Sequence, residues 1–273
     1  MSLPLNKPSI LPLNTDEIHL WFAFPDEIQD RELLSAYQKL MTEEEYARQQ
    51  RFRFAKHQQL FLITRALVRT TLSRYTDVEP QHWRFSKNDY GKPTILAAED
   101  LPPLSFNLSH TEGLIICGVV LKQDIGVDIE NGERKCTTLD IADRFFSPQE
   151  VKDLHALSSK VEKQNRFFDY WVLKESYIKA RGMGLSLPLE QFSFHLSKNK
   201  PLQISFDPRM QDNPDDWQFW LLKPTQYHKA AISLNQNTNK PYRLVTKKVV
   251  PLFDEQDFLC PILHCPPPTL PKS

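Results

Sequence analysis

Two charged residues in the segment WVLKESYIK, residues 171–179, occupy positions that suggest chemistry. A helix is predicted from Val161 to Arg181, and it places Glu175 and Lys179 one turn apart within an apolar stripe. The stripe contains Phe167, Phe168, Trp171, Val172 and Ile178. Charges in apolar surroundings cost free energy unless they pair or bind a charged group. The pattern therefore indicates either a buried structural ion pair or a site for a metal ion or a phosphate.

A second acidic group lies in the segment DIGVDIE, residues 124–130. Apolar residues alternate there with Gly126, Asp128 and Glu130, as in a β-strand, so the two carboxylates project from the same face. Neighbouring carboxylates repel each other, and no structural role requires them. Hard oxygen ligands at this spacing suit Mg²⁺ or Mn²⁺, although such a pair alone is common in proteins.

Basic residues concentrate in the N-terminal third of the chain. They are Arg48, Arg51, Arg53, Arg65, Arg69 and Arg74. Because guanidinium groups match phosphate oxygens, this region is either a phosphate-binding surface or a solvated helix face. Further along, Lys92 lies in the turn NDYGKP, and Ser109 and His110 end the strand segment FNLSH. A lysine in a turn is usually solvated and a histidine at a strand end is more often structural, so these residues alone define no site.

The composition excludes several functional classes. The chain has 273 residues and a formal net charge of zero, which gives no electrostatic basis for binding nucleic acid or a membrane. It contains no run of 18 apolar residues, and its first residues lack a signal-peptide pattern. The four cysteines match neither a zinc spacing nor a dense disulfide framework, which favours reduced thiols and a cytoplasmic location. All seven glycines lie between residues 91 and 184, where close turns and ligand contacts are expected.

Periodicity and capping residues predict the order of the elements. Helices are predicted over residues 30–40, 42–54, 56–75, 139–145 and 161–181, with a further helix starting after Ser147. Strands are predicted over residues 18–24, 82–86, 104–109, 114–121, 124–130, 191–196, 202–206, 217–222, 228–234 and 243–249, the last five in one antiparallel sheet. Thr42 with Glu45, and Ser147 with Glu150, resemble capping boxes. The proline-rich tail from Pro251 is expected to wrap on the body or to be disordered.

Together these segments resemble the signature of the Sfp-type 4′-phosphopantetheinyl transferases. GVDIE and WVLKESYIK match that signature in residue type, and Glu175 follows Glu130 by 45 residues. Other segments resemble family segments in the same order. They are RFRF (51–54), YGKP (90–93), FNLSH (106–110), RFFS (144–147) and GLSLPLEQFSF (184–194). The resemblance covers about residues 18–235.

The resemblance implies an enzyme that moves the 4′-phosphopantetheine arm of coenzyme A to a serine of an apo acyl or peptidyl carrier protein. It implies an α+β pseudo-dimer of two similar halves, each with a long helix on a small antiparallel sheet, and coenzyme A between them. The expected division is an N-terminal half over 1–121 with a loose arm over 1–17, a C-terminal half over 122–240 and an extension over 241–273. A chain that already holds both halves is expected to be a monomer.

The same resemblance implies roles for the charged residues. Asp128, Glu130 and Glu175 would ligate Mg²⁺, or Mn²⁺, which neutralises phosphate charge. Lys179 and Lys174 would contact phosphate oxygens of coenzyme A. Glu175, or a water on the metal that it orients, would take the proton of the serine. Asp128, Glu175 and Lys179 are therefore the expected catalytic residues.

The coenzyme A contacts implied by the resemblance lie mostly in the first half. They are Lys92, Ser109, His110, Arg48 and Arg51, with Arg65 as a further candidate. The chain departs from the family at Glu45, where relatives often carry a basic residue, and this departure is expected to weaken or reroute recognition of the 3′-phosphate. Two other functions stay open: a non-catalytic module that binds coenzyme A or a carrier protein, and a Mg²⁺-dependent hydrolase of nucleotide pyrophosphates.

Overall fold

Two β-sheets, each covered on its outer face by a long helix, build the protein. The computed structural model describes residues 9–96, 101–133, 138–197, 200–236 and 241–267. The strands are β1 (Glu17–Ala23), β2 (Phe85–Lys87), β3 (Pro93–Ile95), β4 (Leu104–Thr111), β5 (Leu114–Leu121), β6 (Ile125–Asn131), β7 (Phe192–His195), β8 (Gln203–Phe206), β9 (Trp217–Leu222), β10 (His228–Asn235), β11 (Arg243–Val250), β12 (Asp254–Asp257) and β13 (Ile262–His264). The α-helices are α1 (Arg31–Gln38), α2 (Glu43–Gln50), α3 (Ala55–Leu72), α4 (Thr138–Phe145), α5 (Pro148–Ala156) and α6 (Lys160–Arg181).

The strands divide between two main sheets. The first sheet has the order β12-β11-β1-β5-β4, and the second has the order β13-β9-β10-β6. β1 pairs antiparallel with β5, and β10 lies antiparallel between β9 and β6. Two hairpins, β2–β3 and β7–β8, form separate two-stranded sheets. This mixture of helices and largely antiparallel sheets confirms the predicted α+β class.

Alternation along the inner strands explains why the two sheets stack on each other. In β1, Leu20 and Phe22 face the second sheet, whereas Trp21 faces α3. In β6, the apolar residues join the core between the sheets, which turns Asp128 toward α6. The apolar stripe of α6 closes the other side of the second sheet. None of the helices in the described ranges combines the length and apolar character that crossing a bilayer requires.

The helix ends follow the predicted capping residues. Thr42 and Glu45 exchange side-chain and backbone hydrogen bonds at the start of α2, and Ser147 and Glu150 do the same at the start of α5. Each exchange satisfies N–H groups that a helix start leaves unpaired. Helix α6 ends at Gly182, whose φ of 64° lies in the left-handed region that glycine adopts at little cost. Both predicted capping boxes and the predicted end of α6 are confirmed.

The C-terminal strands depart from the prediction of a single antiparallel sheet. β7 and β8 form their own hairpin, and β11 leaves the second half to pair parallel with β1 in the first sheet. Hydrophobic alternation places a segment in a strand but does not encode its neighbour, so the sequence could not reveal this exchange. The tail after Pro251 adds β12 to the first sheet and β13 to the second. Its described part therefore wraps on the body.

Gly126 lets α6 approach β6 closely. A Cβ atom at this position would lie 1.9 Å from the carbonyl oxygen of Ser176 and 2.3 Å from the backbone nitrogen of Ala180. Because both contacts are with backbone, the helix itself would have to move. We expect Gly126→Ala to lower the free energy of unfolding by about 1–3 kcal/mol, measured by urea denaturation. The control is Gly132→Ala, whose Cβ would meet no atom closer than 3.5 Å; an equal loss in both variants would contradict this explanation.

Candidate active site

A cavity of about 250 Å³ opens where β4, the C-terminal end of α6 and the turn before β3 meet. Its lining includes Lys92, Asn107, Glu175 and Lys179. We call it the α6 cavity. Strand β4 belongs to the first sheet and α6 covers the second, so both halves of the molecule build it. Its volume lies near the lower limit for small-molecule sites.

Asp128 is the centre of a charged cluster beside the α6 cavity. Its Oδ1 accepts hydrogen bonds from Lys179 Nζ at 2.6 Å and from Ser109 Oγ at 2.9 Å. Lys179 Nζ also donates to Ser109 Oγ at 2.8 Å. Asp128 is 5% exposed, and its other carboxylate oxygen, Oδ2, is buried without a hydrogen-bond partner among the described residues. An unpaired buried carboxylate oxygen is costly, so this position suits a cation or a hydrogen-bond donor.

Glu175 reaches the same cluster from α6 and is only partly exposed. Burial is the main cause that raises its pKa to about 7. The Asp128 carboxylate raises the pKa further, the Lys179 ammonium opposes this effect, and Glu130 adds a smaller increase. A carboxyl group with a pKa near neutrality can both hold and release a proton at cellular pH. The site therefore contains a group suited to acid–base chemistry.

Polar side chains at alternating positions of β4 hold the acidic strand β6. Asn107 Oδ1 accepts a hydrogen bond from the backbone N–H of Val127 at 3.0 Å. Ser109 Oγ donates a hydrogen bond to Asp128 Oδ1, and Thr111 Oγ1 lies 3.5 Å from Glu130 Oε2. These three β4 residues share one face because side chains alternate along a strand. They join the two sheets at the position of the carboxylates.

Sequence reasoning assigned no role to Asn107 or Thr111. The signal that could have found them is the alternation in FNLSHT, where polar residues at every second position accompany Ser109. A period-two row of polar residues on a largely buried strand requires partners. The partners are on another sheet, which a single sequence does not show.

Lys92 lines the α6 cavity, but its ammonium group already has protein partners. Its Nζ donates to the carbonyl oxygen of Ala180 at 2.7 Å and lies 3.5 Å from Asp124. Burial lowers the pKa of Lys92, and the Asp124 carboxylate opposes this effect. The lysine therefore places a positive charge at the C-terminal end of α6, where the helix dipole favours it.

The other predicted coenzyme A residues differ in their relation to the cluster. Arg48 and Arg51 are exposed, and the Arg48 guanidinium lies 5.6 Å from the ring centre of Phe61. His110 follows Ser109 at the end of β4. Desolvation by the surrounding protein lowers the pKa of His110, and the nearby positive charge of Lys179 lowers it further. The structure thus places Ser109 within the cluster and leaves Arg48 and Arg51 exposed to solvent.

Glu45, where the sequence departs from the family, pairs within the basic region. Its carboxylate lies 2.7 Å from Arg69 and 3.9 Å from Arg65, and it also caps α2. Arg69 is 1% exposed, so this pairing satisfies a guanidinium that water cannot reach. Glu45 therefore engages the buried Arg69 and the partly buried Arg65, and Arg48 stays exposed to solvent.

The structure places Lys174 away from the cluster, contrary to the predicted phosphate contact. Its side chain is 1% exposed, and Nζ donates to the carbonyl oxygens of Leu189 and Phe192 at 2.7 Å each. The third partner is Glu150 at 2.8 Å. An ammonium group has three protons, so none is left for a ligand. Consecutive helix positions point about 100° apart, so Lys174 faces β7 whereas Glu175 faces the cluster.

Three carboxylates could supply oxygen ligands to a divalent cation: Asp128, Glu130 and Glu175. Within the ranges that the structure describes, no three His, Cys, Asp or Glu side chains are already arranged to hold a metal ion. The donor chemistry nevertheless fits a hard cation, because one buried oxygen of Asp128 lacks a partner, and burial together with the Asp128 and Glu130 carboxylates raises the pKa of Glu175. A cation would relieve both costs.

Two family models match almost all of the body of the chain. The model described as the 4′-phosphopantetheinyl transferase superfamily matches residues 124–233, and the model described as 4′-phosphopantetheinyl transferase, N-terminal, matches residues 28–119. The chain belongs to this family. The C-terminal match contains all three carboxylates and Lys179, and the N-terminal match contains Lys92, Ser109 and His110.

Named phosphopantetheinyl transferases are similar over much of the chain. HetI of Nostoc sp. is 34% identical over 230 residues, which cover 84% of this chain and 92% of HetI. Sfp of Bacillus subtilis is 43% identical over 143 residues, 52% of this chain and 61% of Sfp. The psf-1 transferase of Bacillus pumilus is 33% identical over 175 residues, 64% of this chain and 72% of that protein. These similarities place the chain in the Sfp-type group of phosphopantetheinyl transferases.

Proposed function

We propose that this phosphopantetheinyl transferase moves the 4′-phosphopantetheine arm of coenzyme A to a serine hydroxyl of an apo acyl or peptidyl carrier protein. The products are a holo carrier protein and adenosine 3′,5′-bisphosphate. The observation that carries the proposal is the cluster of Asp128, Glu175 and Lys179 beside the α6 cavity. It combines an ammonium group for phosphate charge with a carboxyl group whose pKa is about 7.

In this proposal coenzyme A binds in the α6 cavity and extends toward the exposed Arg48 and Arg51. Lys92 and Lys179 border the cavity and supply positive charge to the pyrophosphate. Ser109 and His110 lie at the end of β4. They would contact the 3′-phosphate end of coenzyme A, as the family resemblance implies. Arg48 and Arg51 are exposed and free to turn toward the adenosine phosphates. Lys174 is not part of this binding surface.

Asp128, Glu130 and Glu175 would hold Mg²⁺ or Mn²⁺. Their three carboxylates suit a hard cation, and Asp128 Oδ2 is a buried oxygen that no described residue pairs. When bound, the cation would neutralise phosphate charge and help to align the pyrophosphate.

The chain's own residues account for the proton and the charge of the reaction. The serine oxygen forms a bond to the phosphorus that carries the pantetheine arm, while the bond from that phosphorus to the bridging oxygen breaks. Glu175 accepts the serine proton, because its carboxylate borders the α6 cavity beside Asp128 and Lys179. Lys179 stays beside Asp128 and balances the negative charge that develops on the leaving adenosine 3′,5′-bisphosphate. Asn107 keeps β6, and therefore Asp128, in position.

We further propose a cytoplasmic protein that acts as a monomer. Both halves of the site come from one chain, because β4 lies in the first sheet and α6 covers the second. The division at residues 121 and 122 falls between β5 and β6, which lie in different sheets. No nucleic acid or membrane partner is proposed, in keeping with a net charge of zero.

Intact-mass spectrometry of an apo acyl carrier protein tests the function. The carrier is incubated with this protein, coenzyme A and Mg²⁺, and we expect its mass to rise by one phosphopantetheine arm. A chelator should abolish the gain and added Mg²⁺ should restore it. Without a cation, the negative charges of the site carboxylates and the pyrophosphate repel each other. A carrier whose acceptor serine is replaced by alanine is the control.

Two results would contradict the proposal. Binding of coenzyme A without a mass gain on acyl or peptidyl carriers would indicate a non-catalytic binding module. Consumption of coenzyme A without any carrier would indicate a hydrolase in which water replaces the serine. Liquid chromatography of adenosine 3′,5′-bisphosphate, run beside the mass measurement, separates these outcomes.

A further inference from the structure

A second cavity, of about 320 Å³, lies at the opposite end of α6 from the α6 cavity. It lies between the N-terminal part of α6, the end of β6 and the turn that joins β9 to β10. Its lining includes Gln164, Gly132, Lys223 and Tyr227. We call it the turn cavity. Gly132 N–H donates to the Tyr227 carbonyl at 2.8 Å, and Gln164 Nε2 donates to the Gly132 carbonyl at 2.7 Å, so hydrogen bonds define its walls.

The two cavities lie toward opposite ends of β6, the strand that carries Asp128 and Glu130. The α6 cavity is lined by Lys179, and the turn cavity is lined by Gln164, about 22 Å away along the helix at 1.5 Å per residue. Asp128 and Glu130 lie on β6 between them, and Gly132 follows Glu130 by two residues. Any group that enters the turn cavity therefore approaches Asp128 and Glu130 from the side opposite to the α6 cavity.

The geometry of phosphoryl transfer determines the side from which the acceptor serine must attack. The attacking oxygen and the leaving oxygen lie roughly in line through the phosphorus. If the leaving adenosine 3′,5′-bisphosphate occupies the side of Lys179 and Lys92, the attacking serine must come from the opposite side. Along β6, that side is the one on which Gly132, a lining residue of the turn cavity, follows Glu130.

Exposed apolar side chains surround the turn cavity. Five of the twelve large apolar or aromatic side chains that are exposed among the described residues belong to three adjoining segments: α6, the β9–β10 turn and the tail. They are Val161 (68% exposed), Tyr227 (45%), Leu259 (90%), Ile262 (51%) and Leu263 (43%). The tail reaches this position because β13 pairs with β9 and because the Lys223 N–H donates to the Pro261 carbonyl. Clustered exposed apolar groups are typical of protein interaction sites.

We infer that the turn cavity and the tail residues Leu259–Leu263 form the surface on which the acceptor carrier protein docks. The inference rests on the proposed function, because only a transfer reaction needs a protein acceptor on that side. The tail contributes apolar contacts. Of the charged residues in the lining, Glu133 is acidic and Lys229 pairs with Asp169, so Lys223, whose backbone N–H bonds to Pro261, supplies the positive charge beside the tail. Lys223 is exposed and has no ion-pair partner among the described residues. The occupant is therefore a carrier protein that presents apolar side chains beside an acidic group.

Steady-state kinetics of the full-length chain test the docking surface. The double variant Ile262→Asp/Leu263→Asp introduces two negative charges on exposed positions of β13. We expect the KM for an apo carrier protein to rise roughly five- to tenfold, as expected for the loss of an interface contact. The kcat at saturating carrier and the KM for coenzyme A should stay unchanged, because the α6 cavity lies at the other end of α6.

A control and a second variant keep the test decisive. Phe253→Asp changes an exposed apolar residue between β11 and β12, on the first sheet, and should leave all constants unchanged. Lys223→Glu alters the docking surface without touching β13, and it should raise the KM for carrier even if the double variant does not fold. An unchanged carrier KM in Lys223→Glu and in the folded double variant would overturn the docking surface. Failure of the wild type to modify any carrier would instead overturn the proposed function and, with it, the inference.

Discussion

Replacing Glu175 by glutamine is expected to remove nearly all transfer while leaving the fold intact. Glutamine has the size of glutamate, so the packing of α6 on the second sheet should not change. It cannot accept the serine proton and supplies no charge to a cation. We expect kcat/KM to fall by at least about a hundredfold, measured by the mass gain of an apo carrier protein over time. An active variant would exclude Glu175 from the mechanism.

The same substitution is expected to stabilise the metal-free protein above pH 7. In the unfolded chain Glu175 ionises near its ordinary pKa of 4.5, whereas the folded protein keeps the proton up to about 7. Between these values the folded state binds more protons, so the free energy of unfolding falls as the pH rises. Above pH 7 the burial of the charge costs roughly 1–3 kcal/mol after allowance for partial exposure. Glutamine avoids that cost.

Urea unfolding at pH 5 and pH 8 in chelator measures this effect. The stability advantage of Glu175→Gln should be small at pH 5 and larger at pH 8, while Glu44→Gln, at an exposed position of α2, should show no pH-dependent difference. An advantage independent of pH would contradict the raised pKa of Glu175. A variant that loses activity while gaining stability has altered a group kept for function, because a structural residue would show the opposite sign.

Replacing Lys174 by methionine is expected to destabilise the protein without weakening coenzyme A binding. Methionine fills the space of the alkyl chain but leaves the Glu150 carboxylate, which is fully buried, without its positive partner. It also leaves the carbonyl groups of Leu189 and Phe192 without a donor. Breaking a buried pair from one side costs about 3–5 kcal/mol, and the lower end applies here because Ser147 and Phe194 still donate to Glu150.

Thermal unfolding and isothermal titration calorimetry separate the two possible roles of Lys174. We expect a lowered melting temperature and, at low temperature, an unchanged Kd for coenzyme A. Lys160→Met, at the exposed start of α6, is the control and should change neither quantity. A weaker Kd with unchanged stability would restore the phosphate contact that the sequence suggested.

The parts of the site that the sequence could predict depend on local periodicity. The spacing of Asp128 and Glu130 along a strand, and of Glu175 and Lys179 along a helix, decides which face each side chain occupies. The structure brings Asp128 and Lys179 within hydrogen-bond distance, and electrostatic coupling ties Glu175 to the same cluster. The capping residues were predictable for the same reason, because a helix start needs partners within four positions.

The parts that the sequence could not predict depend on elements distant along the chain. Lys174 and Glu175 are adjacent charged residues of one motif, and only the position of Glu150 and of the carbonyls near β7 shows that the first is structural. Asn107 on the first sheet accepts a hydrogen bond from Val127 on the second, and hydrophobic periodicity does not predict a contact between two sheets. The pairing of β1 with β11 was likewise not predictable, because residues that favour a strand do not determine which strand lies beside it.

The pairing of β1 with β11 sets a condition on the order in which the chain can fold. Glu17 lies beside Arg243, so two strands near opposite ends of the chain are neighbours in the first sheet. During synthesis, β1 and β5 emerge long before their sheet can be completed, and one edge of β1 stays open until β11 leaves the ribosome. The N-terminal half is therefore not a unit that folds first and waits for its counterpart. A nascent chain, or a gene fragment ending at residue 121, would expose an apolar strand edge and be prone to aggregation.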